Sequence, residues 1–213
     1  KHFRCKDCEY ASKLPTQTSK VSLPRPYEFN HTIGMDVNYI HDYAGTIHMF
    51  LNIVCMGTGY QMELYIKEGK GTPSSSVCLD LVLTHWVNWA GYPKQIITDR
   101  GLNNRGVFLK EMNAAGVHCS SIGLEAANQL AKVERHGGMF KKSFKRVIRD
   151  NHVVGKREMS IAAMGTLVTK NEFVKKGGFS RSQWVLGKLP RGVGQYLDEE
   201  EIGHLGKLQS QDD

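Results

Sequence analysis

The sequence predicts an α/β protein whose core is a five-stranded mixed sheet flanked by helices. Three consecutive segments with strand patterns are separated only by short turns, which indicates an antiparallel meander. Two further short apolar segments alternate with segments of helical spacing, and two long helical patterns follow them. Such an order favours one sheet with helices packed against its faces.

The three strands of the predicted meander come first. Residues 33–39 alternate large apolar side chains with small or polar ones, starting at Ile33. The second strand is predicted at residues 46–55 and the third at residues 60–66. Glycines at positions 57 and 59 predict the turn between the second and third strands.

The pattern changes after the third strand. Pro73 and the serines at 74–76 predict the start of a helix, so the serines are interpreted as a cap rather than a nucleophile. The later elements are predicted in this order: a helix at 77–89, a strand at 94–99, a helix at 108–115, a strand at 117–120, and helices at 128–150 and 157–175. The ribonuclease-H-like fold has this order of elements, and other α/β folds share much of it.

The composition is that of a basic globular chain. The protein has 213 residues, of which 40% are hydrophobic and 23% charged, and its formal net charge is +7. This charge favours a polyanionic partner such as nucleic acid, although a domain that is merely basic fits it equally well. No apolar run approaches the roughly 18 residues of a membrane span and no signal peptide occurs, so we expect a reducing, intracellular compartment and no membrane partner.

The first 23 residues are interpreted as the end of a small module followed by a linker. Cys5 and Cys8 have the spacing of metal ligands, but one pair is only half of a zinc site. Zn²⁺ binding would therefore need residues upstream of Lys1, and two free thiols are the alternative interpretation. The other cysteines lie in apolar segments and are interpreted as small buried side chains: Cys55, Cys78 and Cys119.

Two acidic residues are candidates for a catalytic role because of their positions on predicted strands. Asp36 lies in the first strand, on the face opposite its large apolar residues. Asp99 closes the strand that follows the first helix. Reactive groups in α/β sheets gather beyond the carboxyl ends of strands. An acid after a strand is nevertheless more often a loop residue or a helix cap.

The long helix supplies a third acid, Glu134. At about 100° per residue, one apolar face is predicted to be buried. That face consists of Val133, Phe140, Phe144, Val147 and Ile148. Glu134 stands at its edge, Lys141 and Lys145 lie within about 20° of Glu134, and Lys142 and Arg146 lie farther round. An acid at the edge of the core, followed along the same helix face by cations, favours a metal site next to a surface that binds DNA phosphates. A solvated helix also carries many charges, however.

Together these residues resemble the Asp-Asp-Glu signature of retroviral and retrotransposon integrases. The resemblance is carried by Asp36, by Ile-Ile-Thr-Asp99-Arg-Gly, and by Lys-Val-Glu134-Arg-His. Asp99 and Glu134 are separated by 34 residues, close to the spacing that the family favours. The resemblance covers residues 24–190, interpreted as a catalytic core, and leaves residues 191–213 as an acidic tail.

The resemblance implies a ribonuclease-H-like polynucleotidyl transferase. Asp36, Asp99 and Glu134 would be the catalytic acids and would hold two Mg²⁺ or Mn²⁺ ions. The enzyme would process the 3′ ends of its element's DNA and join them to target DNA, in the nucleus and as a homo-oligomer, a dimer or larger. Lys141 and Lys145 would contact the DNA ends, and the resemblance offers weaker candidates as well: Gln129, Lys142 and Arg146. Cys5 and Cys8 would be the last two ligands of a His-His-Cys-Cys zinc module.

The sequence also departs from the family pattern. Ala131 stands where many relatives have glycine, and Gly137 and Gly138 are expected to weaken the helix by about 1 kcal/mol each. Glu125 is a rival third acid, but it precedes the helix and has no core face beside it. Three other interpretations therefore stay open: a ribonuclease-H-like nuclease without strand transfer, a decayed copy that only binds DNA, and a zinc-finger binding module.

Overall fold

The computed structural model describes residues 28–98, 106–121 and 127–187. Its main sheet is built from β1 (Thr32–His41), β2 (Ile47–Cys55), β3 (Gln61–Glu68), β4 (Gln95–Thr98) and β5 (His118–Ser121). The spatial order is β3-β2-β1-β4-β5. β2 pairs antiparallel with β1 and β3, whereas β4 runs parallel to both β1 and β5. The prediction of a five-stranded mixed sheet that begins with an antiparallel meander is confirmed.

The helices follow the predicted order. Helix α1 covers Ser75–Val82 and continues through a π-helical turn, Leu83–Val87, into Asn88–Ala90. The Ser74 hydroxyl accepts a hydrogen bond from the backbone N–H of Val77 at 3.3 Å, so this serine caps the helix as predicted. The remaining helices are α2 (Val107–Ala114), α3 (Ala127–Asp150), α4 (Gly155–Phe173) and α5 (Arg181–Leu186). Within the described ranges, none of these helices is both long and apolar enough to cross a bilayer.

The prediction of the last helix was wrong at its end. α4 stops at Phe173 rather than at residue 175, and a small hairpin follows, formed by β6 (Lys175–Lys176) and β7 (Phe179–Ser180). Its two central glycines have φ of 59° and 89°, which L side chains rarely adopt. Ser180 and Gln183 then form a reciprocal capping box that starts α5, a helix that the sequence interpretation missed.

Two apolar cores lie on opposite faces of the main sheet. One is formed with α1 and α2 and includes Trp86 and Phe108, and the other is formed with α3 and α4 and includes Phe144 and Met159. The three-layer arrangement agrees with the predicted sheet flanked by helices. The three cysteines of the apolar segments all contribute to the core formed with α1 and α2: Cys55 and Cys78 are buried, and Cys119 is half-buried.

Candidate active site

Asp36 lies in the middle of β1, on the side of the sheet that faces α3. The side chains of Met35 and Val37 join the core beneath α1 and α2, whereas that of Ile40 joins the core beneath α3 and α4. Because side chains alternate along a strand, Asp36 lies on the face opposite Met35 and Val37, as predicted, and this face is the one that α3 covers. The carboxylate is half-buried, and its Oδ1 accepts a hydrogen bond from the backbone N–H of Val37 at 2.7 Å.

Helix α3 lies close against β1, and glycines line the contact. A Cβ built on Gly34 would lie only 2.1 Å from Cγ2 of Val133. A Cβ built on Gly137 would lie 3.2 Å from Nδ2 of Asn52 and 3.5 Å from Oδ1 of Asn38. The backbone of the helix thus rests on the polar side chains of β1 and β2, and Gly137 has a packing role that its low helix propensity did not indicate. The predicted local cost of the two helical glycines stays a prediction.

The close contact brings the elements that carry Asp36 and Glu134 together. Asp36 lies between Gly34 and Asn38 on β1, and Glu134 lies between Val133 and Gly137 on α3. Both acids therefore fall inside the stretch over which the strand and the helix touch. Glu134 is exposed, although its neighbour Val133 is fully buried. The structure thus places one carboxylate on the sheet and the other on the rim of the covering helix.

The buried face predicted for α3 is confirmed. Val133, Phe140, Phe144 and Ile148 are buried, and Val147 is partly buried. The cations predicted beside Glu134 lie on the accessible side of the helix: Lys141 is half-buried, and Lys142, Lys145 and Arg146 are exposed. A basic surface, here called the α3 basic face, is therefore formed by Lys141, Lys142, Lys145 and Arg146.

Several predicted site residues lie outside the part that the structure describes. These are Cys5, Cys8, Asp99, the rival Glu125, and the side chain of Gln129. The residue before Asp99 is described, however, and Thr98 of β4 is paired in parallel with Met35, the residue before Asp36. The proposed boundaries of the domains at residues 23 and 190 also fall outside the described ranges.

A cluster of buried polar side chains lies beneath α3 and α4, and the sequence interpretation missed it. Each member exposes less than a tenth of its surface, and five elements contribute besides β1: Asn38, Asn52, Gln61, Glu63, His136, Lys170, Asn171 and Arg181. Asn38, Asn52 and Glu63 belong to neighbouring strands, and Asn52 pairs in register with Glu63. Polar residues at alternate positions of three adjacent strands were the available signal, but such a pattern usually marks a solvated face.

Burial shifts the pKa values of four groups in this cluster, and it lowers that of Arg181. Burial raises the pKa of Glu63 to about 8, although hydrogen bonds from Gln61 and Asn38 oppose the shift. Burial, with a contribution from the Arg181 charge, lowers the pKa of Lys170 to about 7. Burial lowers the pKa of His136 to about 3, helped by the charges of Lys170 and Arg181. His136 is therefore neutral at physiological pH.

We expect Glu63→Gln to change how stability depends on pH. The pKa of Glu63 is about 8 in the folded protein against an ordinary 4.5, so its stabilising contribution is complete below pH 4.5 and is lost as pH rises through 8. Glutamine carries no such proton. The free energy of unfolding of the wild type, relative to that of the variant, should fall between these pH values by an amount on the order of a few kcal/mol.

Urea unfolding at both ends of this pH range measures the difference. Glu68→Gln is the matched control, because Glu68 is exposed on the same strand as Glu63. Parallel stability curves for the wild type and Glu63→Gln would contradict the prediction.

The side chains at the meeting point of β1 and α3 fit a divalent metal. Asp36 and Glu134 offer hard carboxylate oxygens, the ligands that Mg²⁺ and Mn²⁺ prefer. The rim position of Glu134 leaves its carboxylate accessible. Within residues 28–98, 106–121 and 127–187, no three His, Cys, Asp or Glu side chains are grouped so that they would hold an ion. A complete set of ligands would therefore include a residue outside these ranges.

Comparisons with known proteins give a match only to solved structures. No family model matches the sequence, and no curated protein matches it. A simian T-cell lymphotropic virus intasome, solved in complex with PP2A regulatory subunit B56 gamma, aligns with a TM-score of 0.66 and 20% identity over 88% of this chain. The alignment spans 66% of that neighbour's length.

Two isolated catalytic cores match over nearly their whole length. The HTLV-2 integrase catalytic core domain in complex with magnesium aligns with a TM-score of 0.59 and 21% identity, covering 73% of this chain and 96% of that one. The catalytic core domain of BIV integrase aligns with a TM-score of 0.57 and 15% identity, covering 74% and 95%. This chain has the fold of a retroviral integrase catalytic core. The predicted ribonuclease-H-like fold class is thereby confirmed.

Proposed function

We propose that this chain is the catalytic core of a retrotransposon-type DNA integrase, with Asp36, Asp99 and Glu134 as its catalytic acids. The observation that carries the proposal is the convergence of three elements. Met35 and Thr98, which precede Asp36 and Asp99, are paired on neighbouring strands. The contact of Val133 with Gly34 brings the start of α3, and with it Glu134, to the same strand.

The three acids would hold two Mg²⁺ or Mn²⁺ ions. When bound, such ions clamp the attacking and leaving oxygens of a phosphoryl displacement and stabilise its developing charge. The HTLV-2 integrase core, which has the same fold, was solved in complex with magnesium, and this supports the choice of ion. A zinc site that includes Cys5 and Cys8 stays a separate prediction, since it needs residues upstream of this chain.

The protein's own contribution is positioning. Asp36 is held on the central strand of the main sheet, and its carboxylate is fixed further by the N–H of Val37. Glu134 follows Val133 on α3, and Val133 is fully buried. The backbone at Glu134 is therefore held in place, whereas its carboxylate stays accessible. Rigid placement of charged groups around a phosphodiester is the main requirement of phosphoryl transfer without a covalent enzyme intermediate.

The α3 basic face would guide DNA to the acids. Lys141 and Lys145 lie about two and three helical turns beyond Glu134 on the same stripe, where they would contact phosphates of the DNA end. Lys142, Arg146 and Gln129 are proposed as weaker contacts. The proposed site of action is the nucleus, and joining two DNA ends calls for at least two copies of the chain. The structural neighbours include an intasome and dimeric and trimeric forms of a catalytic core, which supports this assembly.

We expect the double variant Lys141→Gln/Lys145→Gln to bind DNA with a weaker dependence on salt. Each phosphate contact contributes about 0.9 to the slope of log K against log salt concentration, so the slope should fall in magnitude by about two. Fluorescence anisotropy of a labelled duplex between about 50 and 200 mM salt measures it. Lys110→Gln is the control, because Lys110 is exposed on α2, across the sheet from α3. An unchanged slope in the double variant would remove these lysines from the DNA interface.

A joining assay tests the proposed function. The protein is incubated with Mn²⁺, a target plasmid and labelled duplexes whose ends are randomised, since the sequence does not specify the element's ends. Label joined to the plasmid supports an integrase. Cleavage without joining supports the ribonuclease-H-like nuclease instead, and DNA binding without metal-dependent chemistry supports a decayed, DNA-binding copy.

A further inference from the structure

A chain of buried hydrogen bonds runs from β3 to the backbone of α3. Oε1 of Glu63 accepts hydrogen bonds from Nδ2 of Asn38 at 2.7 Å and from Nε2 of Gln61 at 2.9 Å. Oε1 of Gln61 accepts a hydrogen bond from Nζ of Lys170. The same ammonium group donates to the backbone carbonyl of His136 at 3.1 Å. One polar chain therefore links strand β3, helix α4 and helix α3.

Each end of this chain reaches an element that carries one of the proposed catalytic acids. On the sheet, Asp36 pairs in register with Asn52, and Asn52 pairs in register with Glu63. Nε2 of Gln61 also donates to Oδ1 of Asn52 at 2.9 Å, which ties this row of residues together. On the helix, His136 lies two residues after Glu134. The network thus connects the strand that carries one acid to the helix that carries the other.

Among residues 131–138 of α3, whose side chains the structure describes, apolar anchoring is limited. The apolar core beneath α3 and α4 takes its α3 residues from the second part of the helix: Phe140, Phe144, Val147 and Ile148. In the described first part, Val133 is buried against Gly34 but belongs to neither apolar core. Polar contacts of this segment include those from Lys170 to the carbonyl of His136 and from Lys132 to the carbonyl of Met56.

Stability alone does not account for this cluster. Burying an acidic and a basic side chain is costly, and apolar replacements for such buried ionisable pairs often leave a protein equally stable or more stable. Three buried side-chain atoms in the described part also lack a hydrogen-bond partner: Oδ1 of Asn38, Nδ2 of Asn52 and Oε2 of Glu63. What directional hydrogen bonds provide, and apolar packing does not, is one defined position of the helix relative to the sheet.

We propose that Glu63, Gln61 and Lys170 are positioning residues that fix the first part of α3, and with it Glu134, over Asp36. Their role in catalysis rests on the proposed integrase function, whereas their role in holding the helix does not. The network acts through the backbone of α3 and touches no reacting atom. Loosening it should leave the fold intact and misplace one of the acids.

The test compares Glu63→Leu/Lys170→Met with Lys170→Met and the wild type. The double variant removes both buried ionisable groups and is expected to unfold at a urea concentration no lower than that of the wild type. Its kcat for DNA joining should nevertheless fall about 10- to 100-fold with an unchanged KM for DNA, because small misplacements of catalytic groups slow the reaction to this degree.

Glu63→Gln, which keeps an acceptor oxygen for Asn38 and Gln61, should retain most of the activity. Lys110→Met, at an exposed position of α2, is the matched control.

Amide hydrogen exchange gives a readout that does not depend on chemistry. In both Lys170 variants, amides of residues 131–138 should exchange faster, whereas those of residues 140–148, anchored by the apolar core, should keep their protection. Unchanged exchange in residues 131–138 of the stable double variant would overturn the proposal, as would unchanged kcat in an active protein. If the wild type joins no DNA, the proposed function fails, and hydrogen exchange alone then decides whether these residues hold the helix.

Discussion

Replacing Glu134 with glutamine is expected to lower the rate of DNA joining by about 1,000-fold or more while leaving DNA binding nearly unchanged. Glutamine keeps the size of the side chain but removes the negative charge that a divalent ion requires. Metal ions stabilise the transition state of phosphoryl transfer by several kcal/mol, and each 1.36 kcal/mol corresponds to about a factor of ten in rate. The exposure of Glu134 means that the substitution should not disturb the core.

The measurement pairs single-turnover joining kinetics with anisotropy-based DNA binding. Glu111→Gln is the control, because Glu111 is an exposed acid on α2. Full joining activity in Glu134→Gln would remove Glu134 from the catalytic set. A variant that lost binding and joining to the same degree would instead point to a DNA contact made by this side chain.

Most of the fold was predictable because its elements obey strong local rules. The alternation in residues 33–39 predicted β1, and the apolar stripe of α3 predicted which of its faces is buried. The serines at 74–76 predicted the cap of α1, which Ser74 provides. Each of these signals comes from residues close together in the sequence, and each agrees with the tertiary structure.

The end of α4 and the helix α5 were missed for a local reason. Lys175 and Lys176 continue the charged pattern of α4, so a helical period extends past Phe173, where the helix ends. The two glycines that follow allow the backbone to turn, and their positive φ values show that the hairpin uses this freedom. The spacing of Ser180 and Gln183 was the signal for a new helix start.

The buried polar cluster was not predictable, because its burial depends on residues far apart in the sequence. Polar residues alternate along β3, which indicates a strand with one solvated face. That face is instead covered by α4, which supplies Lys170 and Asn171 more than a hundred residues later. A pattern of polarity shows which residues share a face, but it does not show what packs on that face.

The close contact between β1 and α3 leads to the second large expected effect, that of Gly34→Ala. The added Cβ would lie 2.1 Å from Cγ2 of Val133, well inside van der Waals contact, and both residues are buried. The helix must then move away from the strand, because Val133 is enclosed and its branched side chain has few rotamers. We expect a loss of about 1–3 kcal/mol in the free energy of unfolding, measured in urea. Joining should fall by a factor larger than the fraction of protein unfolded explains.

A second substitution distinguishes this clash from a general intolerance of change at position 34. Val133→Ala in the Gly34→Ala background removes the Cγ2 methyl that the new Cβ would meet, so the double variant should recover part of both stability and joining. Gly138→Ala is the matched control, because a Cβ there meets nothing within 4 Å. It should stabilise the helix by about 0.5–1 kcal/mol, the difference between alanine and glycine in a helix interior. If Gly34→Ala were as well tolerated as Gly138→Ala, this contact would not be what holds the helix against the strand. The contact would then not explain how Glu134 is positioned in the proposed site.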